Sequence, residues 1–411
     1  MKVYFDTCEQ QIPLYLRLDT RHLWPEIQQA LGLDHKKHAP IAAAIYENSL
    51  AGSATSYSRR NVPARNGDCN GILTRKNIIG CVDRLEQLGF VENMVQCPGG
   101  RGWRSAARGN NALALLMQTI IPDTGSIPFV MPQRAAIIRD ADGQEIPPTN
   151  RAAFERIEKP IWAVNEMLQG TDIRDGKGFD IRTPMRRVFN RDTHHGGRLY
   201  GMGSIGWQNI PRDERHDTTI NGEPTIELDF KAIHPHILYS ERGHPIPSDC
   251  YDVGNWPRDL VKLALLVLIN AETLGEVVTV LANSDGEKIT RDEEGGIIDV
   301  TTERRLMKQI AGNDYSKAMA FAHKLVQDVK DHHAPIADDF HTGAGIRLMN
   351  KDSEIAMHVL TSLTKMGEPV LAVHDSFLVR SSVKDKLEEV MHHAAAKAGL
   401  MNIKIEAKTR H

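Results

Sequence analysis

The chain has 411 residues, 41% hydrophobic and 25% charged, with a formal net charge of −3. That is room for two or three domains of ordinary soluble composition, and it excludes a globally basic surface, so any nucleic-acid footprint must be local. Five dispersed cysteines without a C-x-x-C pair argue against a disulfide or zinc framework and for reduced, cytoplasmic thiols; no apolar run reaches the roughly 18 residues of a membrane span, and no basic-then-apolar leader opens the chain.

Residues 1–20 read as a short extended segment available to a later sheet, and 23–33 and 39–51 as helices. From Leu73 to Val91 the pattern sharpens. Thr74 is placed to cap a helix, apolar residues at 78, 81, 82, 85 and 88 form one stripe, and Gly89 stops it. Residues 90–96 then alternate as a strand, Cys97–Trp103 is a glycine-rich hairpin tip, and 103–107 returns. Helix, strand, tip and strand resemble the back half of a winged helix-turn-helix. Between Arg59 and Arg108 there are nine Lys/Arg against four Asp/Glu. Arg75 and Lys76 stand in a first helical turn, where the helix dipole disfavours cations, so a DNA phosphate is their natural partner. Arg101 and Arg104 flank the tip and are placed to reach a minor groove or backbone. The bland alternative is a winged helix used for packing or dimerisation.

Residues 108–150 read as a proline-containing linker, 150–170 as a helix and 171–197 as polar and turn-rich. Further on, Asn283–Gly296 reads as an acidic exposed loop or hairpin. Asp314 or Ser316 caps a helix to about His333, and Asp352 caps another whose stripe is Ile355, Val359 and Leu363. The pairs His332-His333 and His392-His393 point about 100° apart on a helix and are read as surface. Val383–Gly399 is an amphipathic helix and Met401–Lys408 a final edge strand.

Two segments carry chemistry. Ile226-Glu-Leu-Asp229-Phe230 ends an apolar run on a carboxylate, and Val370-Leu-Ala-Val-His374-Asp375-Ser-Phe-Leu-Val379 places another at a break between two β-rich runs. An aspartate at a strand end is usually a turn former or a helix cap. Here both are embedded in residues that favour burial, and an unpartnered buried carboxylate is costly, so a bound cation is the simplest compensation. Neighbouring antiparallel strands would bring the two together to hold a pair of Mg²⁺ ions roughly 3.5–4 Å apart, the equipment of in-line nucleotidyl transfer.

These residues resemble the palm of family A DNA polymerases and the single-subunit, phage-type RNA polymerases. Asp229-Phe-Lys-Ala-Ile-His-Pro-His-Ile-Leu238 is similar to their motif A and His374-Asp375-Ser-Phe377 to motif C, closer to the RNA enzymes. Arg258-Asp-Leu-Val-Lys262 resembles the start of motif B, and Gly197-Arg198-Leu-Tyr200-Gly201 the Gly-Arg-x-Tyr element that precedes motif A. Order and spacing agree over roughly residues 190–380. The resemblance implies an α+β fold, an antiparallel palm sheet with helical fingers, behind the small winged-helix domain. It places residues 1–110 in a DNA-binding domain, 111–190 in a helical linker or thumb-like segment, and 191–411 in palm and fingers. It implies two Mg²⁺ ions, with Mn²⁺ able to substitute, on Asp229, Asp375 and the Phe230 carbonyl. It further implies catalytic and phosphate contacts from Lys262 with Arg258, nucleotide contacts at His234 and Asn270, and template contact at Arg198. The partners implied are a DNA template, a primer and nucleoside triphosphates, with no membrane.

The chain departs from that pattern at Leu266, Asn270 and Ala271, where an aromatic or Met and a Tyr-Gly are usual, and at His234 and His236. Asn270 cannot stack on a base, and His234 stands where the DNA enzymes' motif A has the Glu that blocks a 2′-hydroxyl, so ribonucleotides are admissible substrates. The expected function is a compact template-directed nucleotidyltransferase of a plasmid or phage, a DNA polymerase or primase-polymerase. Two alternatives stay open: a non-enzymatic DNA-binding replication initiator or repressor, and a template-independent terminal transferase.

Overall fold

In the computed structural model the chain is described over residues 11–59, 72–95, 105–203, 205–283, 285–291, 297–304, 306–312 and 314–408. It is α+β, and its larger sheets are chiefly antiparallel.

The first unit is built from β1 (Gln11–Pro13), α1 (Trp24–Ala30), α2 (His38–Leu50), β2 (Ala54–Tyr57), α3 (Arg75–Gln87), β3 (Val91–Met94), β4 (Ser105–Gly109) and α4 (Asn111–Ile120). Of the N-terminal segment expected to be extended, residues 1–10 lie outside the described residues, and residues 11–13 form β1, which adds in parallel to β2 and completes a sheet of order β1-β2-β4-β3. In α3, Cys81, Val82 and Leu85 are buried, while Ile78 is half-buried and Leu88 exposed, so the stripe is narrower than the periodicity suggests. The Thr74 hydroxyl accepts from the Asn77 amide, and Gly89 takes φ +76°, a conformation that ends a helix without a Cβ penalty. Replacing Thr74 by Ala is expected to cost about 1 kcal/mol of stability, and by Ser much less. Equal urea midpoints for the two variants would contradict this. Leu113 and Met117 of α4 pack into the same core, which extends from Leu16 to Ile127. The hairpin tip, with Arg101 and Arg104, lies outside the described residues.

Next in the chain come β5 (Ala136–Arg139), β6 (Glu145–Ile146), α5 (Arg151–Gln169), β7 (Ile173–Arg174), β8 (Met185–Asn190) and β9 (Asp192–Gly201); β5, β6, β8 and β9 form a second sheet of order β6-β5-β8-β9. The segment read as polar turns contains the β8–β9 hairpin instead. Its alternating residues bury one face, Met185, Arg187 and Phe189, and polar side chains hide the pattern because Arg187 is itself buried. Arg187 is satisfied there by the Gly197 carbonyl (2.6 Å), Ser353 Oγ (2.7 Å) and Glu354 (2.7 Å). Gly197 is required: at φ +86°, a Cβ would meet the Phe189 ring at 2.7 Å.

The remaining chain forms α6 (Arg212–Arg215), β10 (Thr219–Ile220), β11 (Glu223–Phe230), α7 (Ile233–Glu241), α8 (Arg258–Asn270), α9 (Leu274–Ala282), β12 (Asp285–Arg291), β13 (Ile297–Arg304), α10 (Leu306–Ala311), α11 (Tyr315–His332), α12 (Gly345–Lys365), β14 (Leu371–Val373), β15 (Ser376–Arg380), α13 (Lys384–Lys397) and β16 (Ile405–Ala407). The central sheet has the order β14-β15-β11-β10-β7, with β16 pairing with the far end of β11. Of the acidic segment after Asn283, residues 285–291 form β12, which pairs antiparallel with β13; residues 292–296 lie outside the described residues. Asp314 caps α11 by accepting from the Lys317 amide.

Two further expectations are corrected. Asp352 is no cap. The helix begins seven residues earlier, because Leu348 continues the apolar stripe, and Asp352 is buried in its middle. His333 is fully buried, between the Tyr239 hydroxyl (3.0 Å) and the Cys250 carbonyl (2.9 Å); burial pushes its pKa down to about 4 and keeps it neutral. Among the described residues no helix is long and apolar enough to cross a membrane.

Candidate active site

The pairing of β11 with β15 sets the site. In this antiparallel register Asp229 stands opposite Ser376, and the Phe230 amide donates to the Asp375 carbonyl (3.4 Å). Asp375 is the second residue of a two-residue turn, because Val373 pairs directly with Ser376. The first, His374, has φ +60°. A primed turn suits the twist of a hairpin but usually carries Gly, Asn or Asp there. Such a backbone outlier at a polar turn is the kind of feature that accumulates at functional sites. The His374 ring meets Tyr200 edge-on at 5.7 Å.

Asp229 is held in an unfavourable state. Burial, and Asp375 beside it, push its carboxyl up to about 6, against the pull of Lys408. Its Oδ1 is buried without a hydrogen bond; Lys408 Nζ, 3.4 Å away, is at ion-pair distance only. Lys408 chiefly serves Glu227 (3.0 Å), which also receives Arg215 (3.0 Å) and the Ser376 hydroxyl (2.6 Å). Those partners outweigh burial and hold the Glu227 carboxyl below its usual range.

Arg198 and His234 converge on Asp352. Asp352 accepts from Arg198 Nε (3.3 Å) and pairs with the other end of that guanidinium, while His234 Nε2 lies 2.8 Å from its Oδ2. Asp352 and Asp375 raise the Arg198 pKa despite its burial. Arg198 is thus tied to α12, half-buried. Arg258 and Lys262 are exposed on the first turns of α8, one helical turn apart. Arg258 pairs with Asp249 and lies 4.9 Å over the Tyr251 ring. Burial is the main cause that raises the Tyr251 pKa to about 12. Asn270, at the far end of α8, donates to the Leu266 carbonyl of its own helix (2.7 Å). Arg75 and Lys76 are exposed in the first turn of α3, where Arg75 donates to the Arg59 carbonyl (2.7 Å).

The structure therefore brings together Asp229, Phe230 and Asp375, and sets Arg198 and His234 on a shared carboxylate beside them. It adds Lys408, Glu227 and Asp352, none of which was singled out as a site residue. The Ile226-Glu-Leu-Asp229 pattern held the signal for Glu227, since residues two apart share a strand face. Lys408 and Asp352 had none, being neighbours only through β16 and α12.

Among the described residues no three His, Cys, Asp or Glu side chains converge as a metal cluster. Two coupled carboxylates and an unsatisfied buried oxygen nevertheless fit Mg²⁺, which binds through one or two carboxylates and keeps waters or substrate oxygens as its other ligands. A raised Asp pKa means that the stability is present below about pH 4 and lost as pH rises through about 6. The ceiling is about 3 kcal/mol; with the side chain 30% exposed, solvent screening reduces it to ~1–2 kcal/mol. Asp229→Asn is expected to raise the Tm of the metal-free protein at pH 7.5 but not near pH 4. Mg²⁺ is expected to raise the Tm of the wild type only. Parallel pH profiles for both proteins would refute the assignment.

No protein family matches the sequence, and neither does any curated protein. Among solved structures, the chain is similar to the POL domain of Pol1 from M. smegmatis, in a complex with DNA primer-template and dNTP. Identity is 14% over 62% of this chain and 52% of that one, with a TM-score of 0.32. The chain spans about half the length of that domain.

Proposed function

We propose that the protein is a template-directed nucleotidyltransferase, a compact DNA polymerase or primase-polymerase. The observation that carries this reading is the carboxylate pair, Asp229 on β11 and Asp375 in the β14–β15 turn, with one buried oxygen unsatisfied. Asp229, Asp375 and the Phe230 carbonyl would hold two Mg²⁺ ions, or Mn²⁺ in their place. When bound, the ions would activate a 3′-hydroxyl and neutralise charge on the nucleoside triphosphate.

The chain's own residues supply the rest. Arg258 would exchange Asp249 for a triphosphate oxygen, bidentately, with Lys262 as a point charge beside it. Asp352 holds His234 and Arg198 in fixed orientation, which suits them to position a nucleotide and template backbone. To meet a nucleotide, the Asn270 amide would leave the Leu266 carbonyl of its own helix. DNA binding falls to residues 1–110, through Arg75, Lys76, Arg101 and Arg104. Residues 111–190 form the join and 191–411 carry the transfer chemistry.

One observation favours a second reading, a DNA-binding initiator or repressor without activity: Lys408 already acts as an internal counter-ion between Glu227 and Asp229. The two readings separate in an assay of labelled dNTPs and NTPs on a single-stranded template, with and without primer, in Mg²⁺. Template-dependent product establishes the polymerase, and template-independent product a terminal transferase. Duplex binding with no product in Mg²⁺ or Mn²⁺ leaves the initiator.

A further inference from the structure

A cavity of about 770 Å³ lies at the seam between the N-terminal core and the β5–β9 layer, and neither Asp229 nor Asp375 is among the residues that line it. Its floor is apolar, from Leu16, Phe129 and Met131, and its rim carries Trp24 and a cluster of cations. The backbone behind it is closed by bonds from Asp19 N to Pro128 O and from Val130 N to Arg17 O, both 2.7 Å.

The cations are not equivalent. Arg21 is occupied by Asp19, and Arg134 by Glu158 at 3.0 Å. Arg186 of β8 is half-buried and lines the cavity, and its side chain makes no hydrogen bond or ion pair among the described residues; Glu145, which also lines the cavity, acts on it only at longer range. Burial and Arg139 lower its pKa more than Glu145 raises it. A guanidinium withdrawn from water without a partner is costly, and a bidentate anion is what its geometry satisfies best. Lys36 adds an exposed positive charge at the mouth. Trp24 supplies a flat apolar surface held in place by its Nε1, which donates to Thr20 Oγ1 (3.2 Å). A planar platform, an unpaired guanidinium and a volume suited to a small ligand together select a phosphate-bearing nucleotide.

We infer that this seam cavity is a second nucleotide site, independent of divalent cation, with the phosphate on Arg186 and Lys36 and the base against Trp24. Its ligand is a free nucleotide or the 5′-phosphorylated end of a strand, which share this chemistry.

The test is binding of labelled ATP to the full chain in EDTA, which removes any metal-dependent site from the measurement. The wild type is expected to bind, and Arg186→Gln to weaken binding at least tenfold. Lys36→Ala, at an exposed position that cannot unfold the protein, should weaken it severalfold. Absence of binding in EDTA, or binding unchanged in both variants, would overturn the site. Displacement of ATP by a 5′-phosphorylated single-stranded oligonucleotide, but not by its 5′-hydroxyl counterpart, supports the site with a strand end as ligand. Displacement by neither supports it with a free nucleotide. Nucleotide incorporation plays no part in this readout, so its failure and that of the polymerase reading are distinguishable.

Discussion

Asp375→Ala is expected to reduce Mg²⁺-dependent nucleotide incorporation by on the order of 10³-fold or more, with Asp229→Ala equally severe. Each removes one of two carboxylates that would hold the ions. Losing several kcal/mol of charge stabilisation in the transition state corresponds to that factor. Neither replacement should unfold the protein. Asp375 is in a half-exposed turn, and removing it relieves the repulsion that raises Asp229. The Tm should therefore be unchanged or higher while activity disappears. The double variant should be no worse than either single one, since residues acting as a unit are not additive. Incorporation that survives Asp375→Ala within tenfold would sink the proposed role of the pair.

Asp180→Ala is expected to destabilise the fold by about 3–5 kcal/mol, the usual cost of stripping one partner from a buried ionic cluster. Asp180 is fully buried at the seam between the two cores. It accepts from Arg17 Nη1 (3.1 Å) and Arg182 Nε (2.8 Å). Arg17 is buried too, pairs with Glu47 of α2, and donates to the Arg182 carbonyl (2.6 Å). Arg182 reaches the carbonyls of Ile127 (2.9 Å) and Gln169 (2.8 Å). Without Asp180, two buried guanidinium groups share one remaining carboxylate, that of Glu47. Urea unfolding and limited proteolysis near residue 128 read the effect. A loss below about 1 kcal/mol would mean that the cluster does not clamp the cores together.

Local signals in the sequence determined a good part of this protein. Thr74, Gly89 and the stripe through Cys81 and Leu85 define α3 because a cap, a stop and a 3.6-residue period are all local. Asp229 and Asp375 stood out because each is a carboxylate embedded among residues that favour burial, a mismatch visible without coordinates. The helices α5, α11 and α13 follow from the same kind of signal, whereas the α+β class was implied by the resemblance of the carboxylate segments to a palm. The β8–β9 hairpin did not follow from such a signal, since its buried face includes Arg187, whose side-chain partners Ser353 and Glu354 come from α12 more than 160 residues away. Only the tertiary structure decided which groups surround the two carboxylates. Lys408 reaches Asp229 because β16 pairs with β11, and Asp352 receives Arg198 and His234 because α12 packs across β9. The seam cavity and its unpaired Arg186 exist only where two separate cores meet. Periodicity and capping are written in neighbouring residues. Charge compensation in a fold is settled by which distant elements come into contact.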